Sequence, residues 1–389
     1  MPLLAHTIPL SLYIHLPWCI RKCPYCDFNS HALKEGLPEA AYVQALLADL
    51  DENLRSPLQD SLGQRPLHSI FFGGGTPSLF SPQALETLLE GIQKRLRFEP
   101  ALEITLEANP GTVEQERFKA YRALGINRLS LGLQSLQDSK LKILGRIHDS
   151  QTAIRAVKTA QDGGFENINI DLMYGLPQQS KEEALHDVAK GLALQSTHFS
   201  WYQLTLEPNT VFYHTRPPLP PDETLWDMQT EGQALLRAHG FNHYEVSAYS
   251  QSNRECKHNL NYWQFGDYLG LGAGAHSKIT DFQTQEILRH WQVKNPRDYL
   301  DPKKNKVAET QRVTSEDRVF EFMLNALRLT AGVPLFLFEN RTGLDRERLD
   351  PLLRRAREKG LLTQDPEWLQ PTERGQQFLN NLTELFLPG

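Results

Sequence analysis

Six strand-like segments alternate with helix-like segments over residues 11–240, and this alternation constrains the fold more than any other feature of the chain. Consecutive strand–helix repeats form a parallel sheet in which each helix crosses over to the next strand. Eight repeats close a full barrel, so six predict an α/β fold with an open, partial (β/α)6 barrel of the TIM type. A doubly wound sheet is the alternative. The predicted strands are SLYIHLP (11–17), SIFFGGG (69–75), EITLEA (103–108), RLSLGLQ (128–134), NINIDLMYG (167–175) and FSWYQLTLE (199–207).

The sequence pattern changes beyond residue 240. Residues 241–300 are irregular and rich in aromatic residues, histidine and glycine, so we expect a connecting region there. Residues 301–389 show helical periodicity and predict a helical, winged-helix-like module after a barrel of residues 1–240. A winged helix can bind DNA, but the charges of this module are mixed in sign. We therefore expect it to pack or to contact a partner protein rather than nucleic acid.

The composition excludes several classes of protein. A net charge of −6 argues against a general polyanion binder, which usually carries a basic excess. No apolar run approaches the roughly 20 residues of a membrane span, and the N-terminal residues lack the features of a signal peptide. Four cysteines, three of them clustered, do not form a disulfide scaffold. We therefore expect a reducing compartment and a cytoplasmic protein without a transmembrane segment.

Polar residues alternate with apolar ones along the predicted strands. Buried parallel strands are usually apolar almost throughout, so polar side chains on an inner face are costly unless they are bound. A ligand at the carboxyl ends of the strands would bind them, and a hydrogen-bond network inside the barrel is the alternative. This parity places the following residues inward: Tyr13, His15, Glu103, Thr105, Glu107, Ser130, Gln134, Asn169, Asp171, Gln203, Thr205 and Glu207.

Three cysteines lie in the segment HLPWCIRKCPYCDF, which directly follows the first strand. Thiolates select zinc or iron–sulfur clusters. A zinc site would need a distant fourth ligand, such as Cys256 or a histidine. A [4Fe–4S] cluster held by Cys19, Cys23 and Cys26 would instead leave one iron open to the amino and carboxylate groups of a small molecule. The glycines of FFGGGTP (71–77) end the second strand and allow a ligand to approach the backbone closely.

The spacing CxxxCxxC, the aromatic Tyr25 before the third cysteine and GGGTP resemble the radical S-adenosylmethionine (SAM) superfamily. Within it, YIHLPWCIRKCPYCDF, FFGGGTPS, LEANP, LGLQS, IDLMYGLP and YLGLGAGAHS resemble the coproporphyrinogen dehydrogenase group and, more closely, its HemW-type heme chaperone branch. The resemblance implies a barrel of the radical SAM type with a [4Fe–4S] cluster on the three cysteines. It also implies SAM contacts from Tyr13, Tyr25, Gly74 and Glu107. Gly75, Thr76, Gln134, Arg146 and Asp171 match positions that hold a second SAM in the dehydrogenases.

Two departures from the dehydrogenases favour the chaperone branch. Phe28 stands where the dehydrogenases carry a fourth cysteine, and only 18 residues precede Cys19 where they carry a longer segment. The segment CKHNLNYW (256–263) also matches the HNxxYW motif of the branch. The resemblance implies heme binding by His258, Tyr262 and Trp263.

The heme ligand has alternatives in the sequence. If residues 256–263 are helical, His258 and Tyr262 share one face, four residues apart. Cys256 is an alternative axial ligand, although it could be a buried thiol. His276 is another, although it could close a turn.

The expected function follows from this resemblance. We expect a heme chaperone that passes heme to respiratory acceptor proteins, receives electrons from a donor and has no coproporphyrinogen oxidase activity. The alternatives are an oxygen-independent coproporphyrinogen III oxidase and a zinc-stabilised scaffold.

Overall fold

The computed structural model describes residues 8–34, 36–111 and 115–388, and a twelve-stranded sheet forms its centre. The strands are β1 (Leu10–Leu16), β2 (Trp18–Cys19), β3 (His31–Ala32), β4 (Leu67–Gly74), β5 (Phe98–Ala108), β6 (Arg128–Gln134), β7 (Asn167–Tyr174), β8 (His198–Gln203), β9 (Asn242–Glu245), β10 (Ala248–Ser250), β11 (Asp267–Leu271), β12 (His276–Asp281), β13 (Glu286–Gln292), β14 (Val307–Arg312), β15 (Val333–Pro334) and β16 (Trp368–Leu369).

Helices connect the strands and cover the sheet. They are α1 (Glu39–Arg55), α2 (Gln59–Gly63), α3 (Pro82–Gln93), α4 (Gln115–Ala123), α5 (Asp138–Ile143), α6 (Ser150–Asp162), α7 (Lys181–Ala193), α8 (Val211–Thr215), α9 (Asp222–Ala238), α10 (Lys257–Trp263), α11 (Pro296–Leu300), α12 (Ser315–Ala326), α13 (Phe336–Thr342), α14 (Asp350–Glu358), α15 (Glu373–Gln377) and α16 (Leu379–Glu384).

The six predicted strand–helix repeats are confirmed. Strands β1, β4, β5, β6, β7 and β8 are neighbours in chain order, and every adjacent pair is parallel. The twelve-stranded order is β14-β13-β12-β11-β1-β4-β5-β6-β7-β8-β10-β9, with different strands at its two edges, so the sheet is an open, partial barrel.

Local sequence signals explain how the repeats form. Helix α7 begins at a capping box, in which Ser180 Oγ accepts from the Glu183 N–H and Glu183 Oε2 accepts from the Ser180 N–H. Gly191 of the same helix lets it lie close against Ile170 and Leu172, which are fully buried. The apolar residues of the strands thus face the helices, which leaves their polar partners for the inside of the barrel.

Residues after 240 extend the same sheet at both edges. Strands β10 and β9 continue it with antiparallel pairing beyond β8. Strand β11 pairs in parallel with β1, and β12, β13 and β14 follow with antiparallel pairing. The domain boundaries expected at residues 240 and 300 stay predictions, although the sheet itself runs across both.

The C-terminal module has a hydrophobic core of its own, to which Phe322, Met323, Phe338 and Leu353 contribute. A small antiparallel pair, β15 with β16, accompanies its helices. Leu260 and Trp263 of α10 pack against this core, so α10 lies between the barrel and the module. Nowhere in the described ranges is a helix both long and apolar enough to cross a membrane.

Candidate functional site

The cysteine loop leaves the carboxyl end of β1 and is closed by the short pairing of β2 with β3. Cys26 Sγ lies 3.6 Å from Ser30 Oγ, and Arg146 Nη1 donates to Cys23 Sγ at 3.6 Å. Burial raises the pKa of Cys19, and the neighbouring Cys26 and Cys23 raise it further. The three thiols are therefore close enough to interact electrostatically, and a buried guanidinium stands beside them.

The three thiols fit a cluster better than a single metal ion. In the described part of the chain, no three His, Cys, Asp or Glu side chains are arranged to hold one metal ion. A tetrahedral zinc site needs four ligands around one point. The cysteines of an iron–sulfur cluster bind different iron atoms, so their thiols need not converge on one point. The donor set of one short loop thus suits an iron–sulfur cluster.

The ends of β4, β5 and β6 are tied to the cysteine loop by one hydrogen-bond network. Arg146 Nη2 donates to Asn109 Oδ1 at 2.6 Å and to Gly132 O at 2.7 Å. Asn109 Nδ2 donates to Thr76 Oγ1 at 2.9 Å, and the Thr76 N–H donates to Trp18 O at 2.8 Å. The network fixes Arg146 beside Cys23, so these strand ends position the loop.

Two glycines at the end of β4 are required by geometry. Gly74 has φ +115°, and a Cβ on it would lie 2.7 Å from the His15 ring. A Cβ on Gly75 would lie 2.5 Å from Trp18 O. The glycine run therefore lets the end of β4 lie close against His15 and Trp18 at the start of the cysteine loop. The close approach of a ligand to these glycines stays a prediction.

Two half-buried carboxyl groups face the interior of the barrel. Burial, followed by the charge of Asp171, raises the pKa of Glu107 to about 8, although the Gly74 N–H donates to its Oε2 at 3.2 Å. Burial also raises the pKa of Asp171, which accepts from Asn169 Nδ2 at 2.8 Å and from Ser130 Oγ at 3.4 Å. A cationic ligand would relieve the electrostatic cost of Glu107.

The predicted orientation of the sixth strand is wrong. Strand β8 ends at Gln203, which is exposed, so Gln203 does not point inward and Thr205 and Glu207 lie beyond the strand. The buried Phe199 and Trp201 take the side that faces the helices. The alternate side chains therefore point inward: His198 and Ser200 contact Asn169, and Tyr202 Oη donates to Gln134 Oε1 at 2.8 Å.

A cavity of about 850 Å³ opens at the mouth of the barrel. Its volume lies within the usual range for cofactor sites, about 300–1,000 Å³. Three residues of the expected SAM set line it, namely Tyr13, Gly74 and Glu107. All three residues of the expected heme set line it as well, namely His258, Tyr262 and Trp263. The structure therefore brings these three residues and the expected heme set together in one cavity.

The other expected SAM residues are not part of the cavity wall, and two of them lie beside the cysteine loop. Thr76 and Arg146 line a small crevice with Cys23. The ring of Tyr25 packs on Phe212 with centroids 6.4 Å apart. Gln134 is the last residue of β6, Asp171 lies within β7, and Gly75 directly follows β4.

The HNxxYW segment forms helix α10, so His258 and Tyr262 share a face as expected. His258 Nδ1 lies 3.0 Å from Ser69 Oγ, and its ring lies 5.1 Å from that of Phe71. Burial, followed by the charge of Arg128, lowers the pKa of His258 to about 3, so its imidazole is neutral at pH 7. Because neutral imidazole is the form that binds metals, His258 is suited to ligate an iron atom.

The two alternative heme ligands differ in position. Cys256 is fully buried at the N-cap position of α10, where its Sγ donates to Glu103 Oε1 at 3.4 Å, and it is not part of the cavity wall. His276 does line the cavity, and its ring lies 5.8 Å from that of Trp291.

Sequence reasoning overlooked several residues of the site. Asn109 connects Thr76 to Arg146. The sequence feature that could have identified it is its position directly after β5, two residues beyond Glu107. The sequence marks Phe28 only as the position where a cysteine is missing, but in the structure its side chain is 63% exposed and lines the cavity. Phe71 and Tyr268 also line the cavity, and no local pattern distinguishes them from ordinary core residues.

Comparisons with known proteins agree with this geometry. Residues 13–190 match the family model of the radical SAM superfamily, and residues 313–378 match that of the HemN C-terminal domain. The chain is 50% identical to the heme chaperone HemW of Haemophilus influenzae over 379 residues, which cover 97% of this chain and 98% of that protein. It is also 50% identical to the heme chaperone HemW of Escherichia coli over 380 residues, with the same coverage.

A solved structure extends the likeness to the fold. Coproporphyrinogen III oxidase (HemN) from Escherichia coli, described as a radical SAM enzyme, superposes with a TM-score of 0.81 and covers 98% of this chain and 91% of that one. At 23% identity this likeness concerns the fold alone. The chain belongs to the radical SAM superfamily and, within it, to the family of the heme chaperone HemW.

Proposed function

We propose that the protein is a heme chaperone, which binds heme in the cavity at the mouth of the barrel and passes it to acceptor proteins. The observation that carries this proposal is the position of His258, a neutral imidazole on the wall of a cavity of about 850 Å³. Relatives with half of their residues identical over nearly the whole chain are named heme chaperones, which supports it.

The cavity offers the groups that heme binding requires. Histidine nitrogen binds heme iron, and His258 would hold the iron from the cavity wall. Aromatic side chains pack against a flat macrocycle, and Phe28, Phe71 and Tyr262 line the same space. Lys22 and Lys294 also line the cavity, where their ammonium groups suit the carboxylates of the heme propionates.

In this proposal Cys19, Cys23 and Cys26 hold a [4Fe–4S] cluster, and SAM binds beside it against Tyr13, Gly74 and Glu107. When reduced by an electron donor, such a cluster supplies one electron to the sulfonium of SAM. The chain's own residues prepare the site. The guanidinium of Arg146 stabilises negative charge at the Cys23 sulfur, and Glu107 becomes a carboxylate when a cationic group faces it.

Thr76 and Arg146 lie beside Cys23 and would position the loop, while Tyr25, Gly75, Gln134 and Asp171 would complete the SAM-binding region.

The oxidase of porphyrin biosynthesis is the second candidate, favoured by the fold of HemN. Phe28 argues against it, because an exposed phenyl ring at the cavity occupies the position of the fourth cysteine of the dehydrogenases.

We propose that the protein acts in the cytoplasm, where thiols stay reduced, and that its acceptors are proteins of the respiratory chain.

One anaerobic experiment tests these proposals. Protein loaded with its cluster is incubated with heme, with and without SAM, and then with a heme-free respiratory acceptor. We expect stoichiometric heme binding, transfer to the acceptor and no conversion of coproporphyrinogen III to protoporphyrinogen IX when SAM and a reductant are supplied. Formation of protoporphyrinogen IX would establish the oxidase instead, and zinc without iron in the purified protein would favour the scaffold.

A further inference from the structure

We propose that Ser69 and Ser11 set the tautomer of His258, placing the proton on Nδ1 so that Nε2 presents its lone pair to the heme iron. This inference rests on the proposed heme function and adds two positioning residues to it. Both serines are buried inside the barrel, Ser11 on β1 and Ser69 on β4.

The side-chain amide of Asn261 fixes one end of the hydrogen-bond chain. Its Nδ2 donates to Asp267 O at 2.9 Å and to Ser11 Oγ at 2.8 Å. A backbone carbonyl can only accept, so the amide nitrogen, and not the oxygen, must lie on this side of Asn261. Ser11 Oγ is therefore an acceptor from Asn261.

The direction of the hydrogen bond between the two serines assigns the other end. Ser69 Oγ donates to Ser11 Oγ at 2.8 Å, and a hydroxyl has a single proton. With that proton used, Ser69 Oγ can only accept from His258 Nδ1, which lies 3.0 Å away. A neutral imidazole carries one proton, so Nε2 is left unprotonated.

The surroundings hold the ring in this orientation. Phe71 and Tyr13 lie against the His258 ring at centroid distances of 5.1 and 6.3 Å. Glu103 accepts from the backbone N–H groups of Lys257 and His258, at 3.1 and 3.2 Å, and so fixes the start of α10. Among the described residues, His258 Nε2 has no hydrogen-bond partner, and the residue lines the cavity.

This arrangement is the one that metal-binding histidines use. The ring nitrogen that does not bind the metal donates its proton to a second group, which fixes the tautomer and the direction of the lone pair. Removing such a second group lowers metal affinity about 10- to 100-fold. Ser69 acts here on the iron through His258, and Ser11 acts through Ser69.

The tautomer can be measured directly. In protein labelled with ¹⁵N-histidine and free of heme, NMR should show His258 protonated at Nδ1 and unprotonated at Nε2, with His258→Gln identifying the signal. A proton on Nε2 would overturn the proposal, whether or not the protein binds heme.

Heme titrations test the consequence. Ser69→Ala and Ser11→Ala should each lower heme affinity about 10- to 100-fold and alter the axial-ligand signature of the heme spectrum, with the cluster retained. Ser11→Ala acts because the Ser69 proton is then free to turn toward His258 Nδ1. Ser250→Ala is the matched control, since Ser250 is a fully buried serine of β10 whose hydroxyl has no partner in the described part of the chain. It should leave heme binding unchanged.

The outcomes separate this inference from the proposed function. Wild-type affinity and spectrum in Ser11→Ala would overturn the inference, even where Ser69→Ala fails to fold. If His258→Ala also binds heme like the wild type, the histidine is not the ligand and the proposed heme site itself fails.

Discussion

Tyr13 and His258 lie side by side on the wall of the cavity, with ring centroids 6.3 Å apart and planes inclined by 40°. Phe71 stacks near both rings, and Tyr13 Oη also contacts His15 Nδ1 at 3.0 Å. Tyr13 belongs to the expected SAM contacts and His258 to the expected heme contacts. The two expected sites therefore share an aromatic cluster, so we expect a change at one of them to affect binding at the other.

This contact predicts that Tyr13→Ala weakens heme binding as well as SAM binding, because the His258 ring loses one of the two rings that hold it. Tyr13→Phe keeps the ring and removes only the hydroxyl, so its heme affinity should match that of the wild type. Anaerobic titrations with heme and with SAM measure both effects. Unchanged heme affinity in Tyr13→Ala would show that the two sites are independent.

His258 itself provides the second prediction. His258→Ala should lose more heme affinity than either serine variant, since the axial ligand is removed and not only reoriented. Its iron–sulfur content should stay at the wild-type level, because α10 does not contribute to the cysteine loop. His276→Ala is the comparison, and a larger loss of heme affinity there would make His276 the ligand.

The cysteine loop gives the third prediction. Cys23→Ser should abolish the iron–sulfur charge-transfer absorption and the bound iron after anaerobic reconstitution, because the cluster loses one of three thiolates. Cys256→Ala should keep both the absorption and the bound iron, since Cys256 Sγ contacts Glu103 at the start of α10. Iron analysis and the visible spectrum measure the outcome, and loss of the cluster in Cys256→Ala would assign that thiol to the metal site.

Much of the barrel could be predicted from sequence because its signals are local. Period-two alternation and strand–helix order identified β1, β4, β5, β6, β7 and β8, and the same parity placed Tyr13 and Glu107 inward. Parity misled at the sixth strand, because Thr205 and Glu207, two of the polar residues from which the inward face was inferred, lie beyond the end of β8 at Gln203.

The pairings made by distant segments could not be predicted. Strand β11 is a five-residue buried run in a glycine-rich segment, and its place beside β1 depends on pairing across more than 200 residues of chain. The same holds for α10. The sequence left its helical structure open, and its position over the barrel depends on Glu103, Ser11 and Ser69, which belong to three different strands.

Glu107 provides a prediction of pH dependence. Its pKa is raised from 4.5 to about 8 in the folded chain, so its protonated form favours folding. This contribution is fully present below pH 4.5 and is lost as the pH rises through about 8. Glu107→Gln, which cannot ionise, should therefore lack this decrease in the free energy of unfolding. Denaturant titrations of both proteins without SAM, between pH 5 and 9, measure the difference, and parallel curves would contradict the assigned pKa.

A buried ion cluster at the first residue of β11 gives the last prediction. Asp267 is fully buried and accepts from Arg65 Nη1 and Lys278 Nζ, each at 2.8 Å. Although burial alone would raise the pKa of Asp267, Lys278 and Arg65 lower it to about 2. Asp267→Ala leaves two buried cations without their partner and should destabilise the fold by about 3–5 kcal/mol.

The contrast between buried and exposed pairs makes the Asp267 prediction specific. Glu90→Ala breaks the exposed pair with Lys94 and should cost about 1 kcal/mol or less in urea denaturation. The contribution of Asp267 is present above its unfolded pKa of 3.8 and is lost as the pH falls through about 2, so the two variants should differ most near neutral pH. Equal losses in both variants would mean that the buried cations find other partners, and that β11 does not depend on this cluster for its place beside β1.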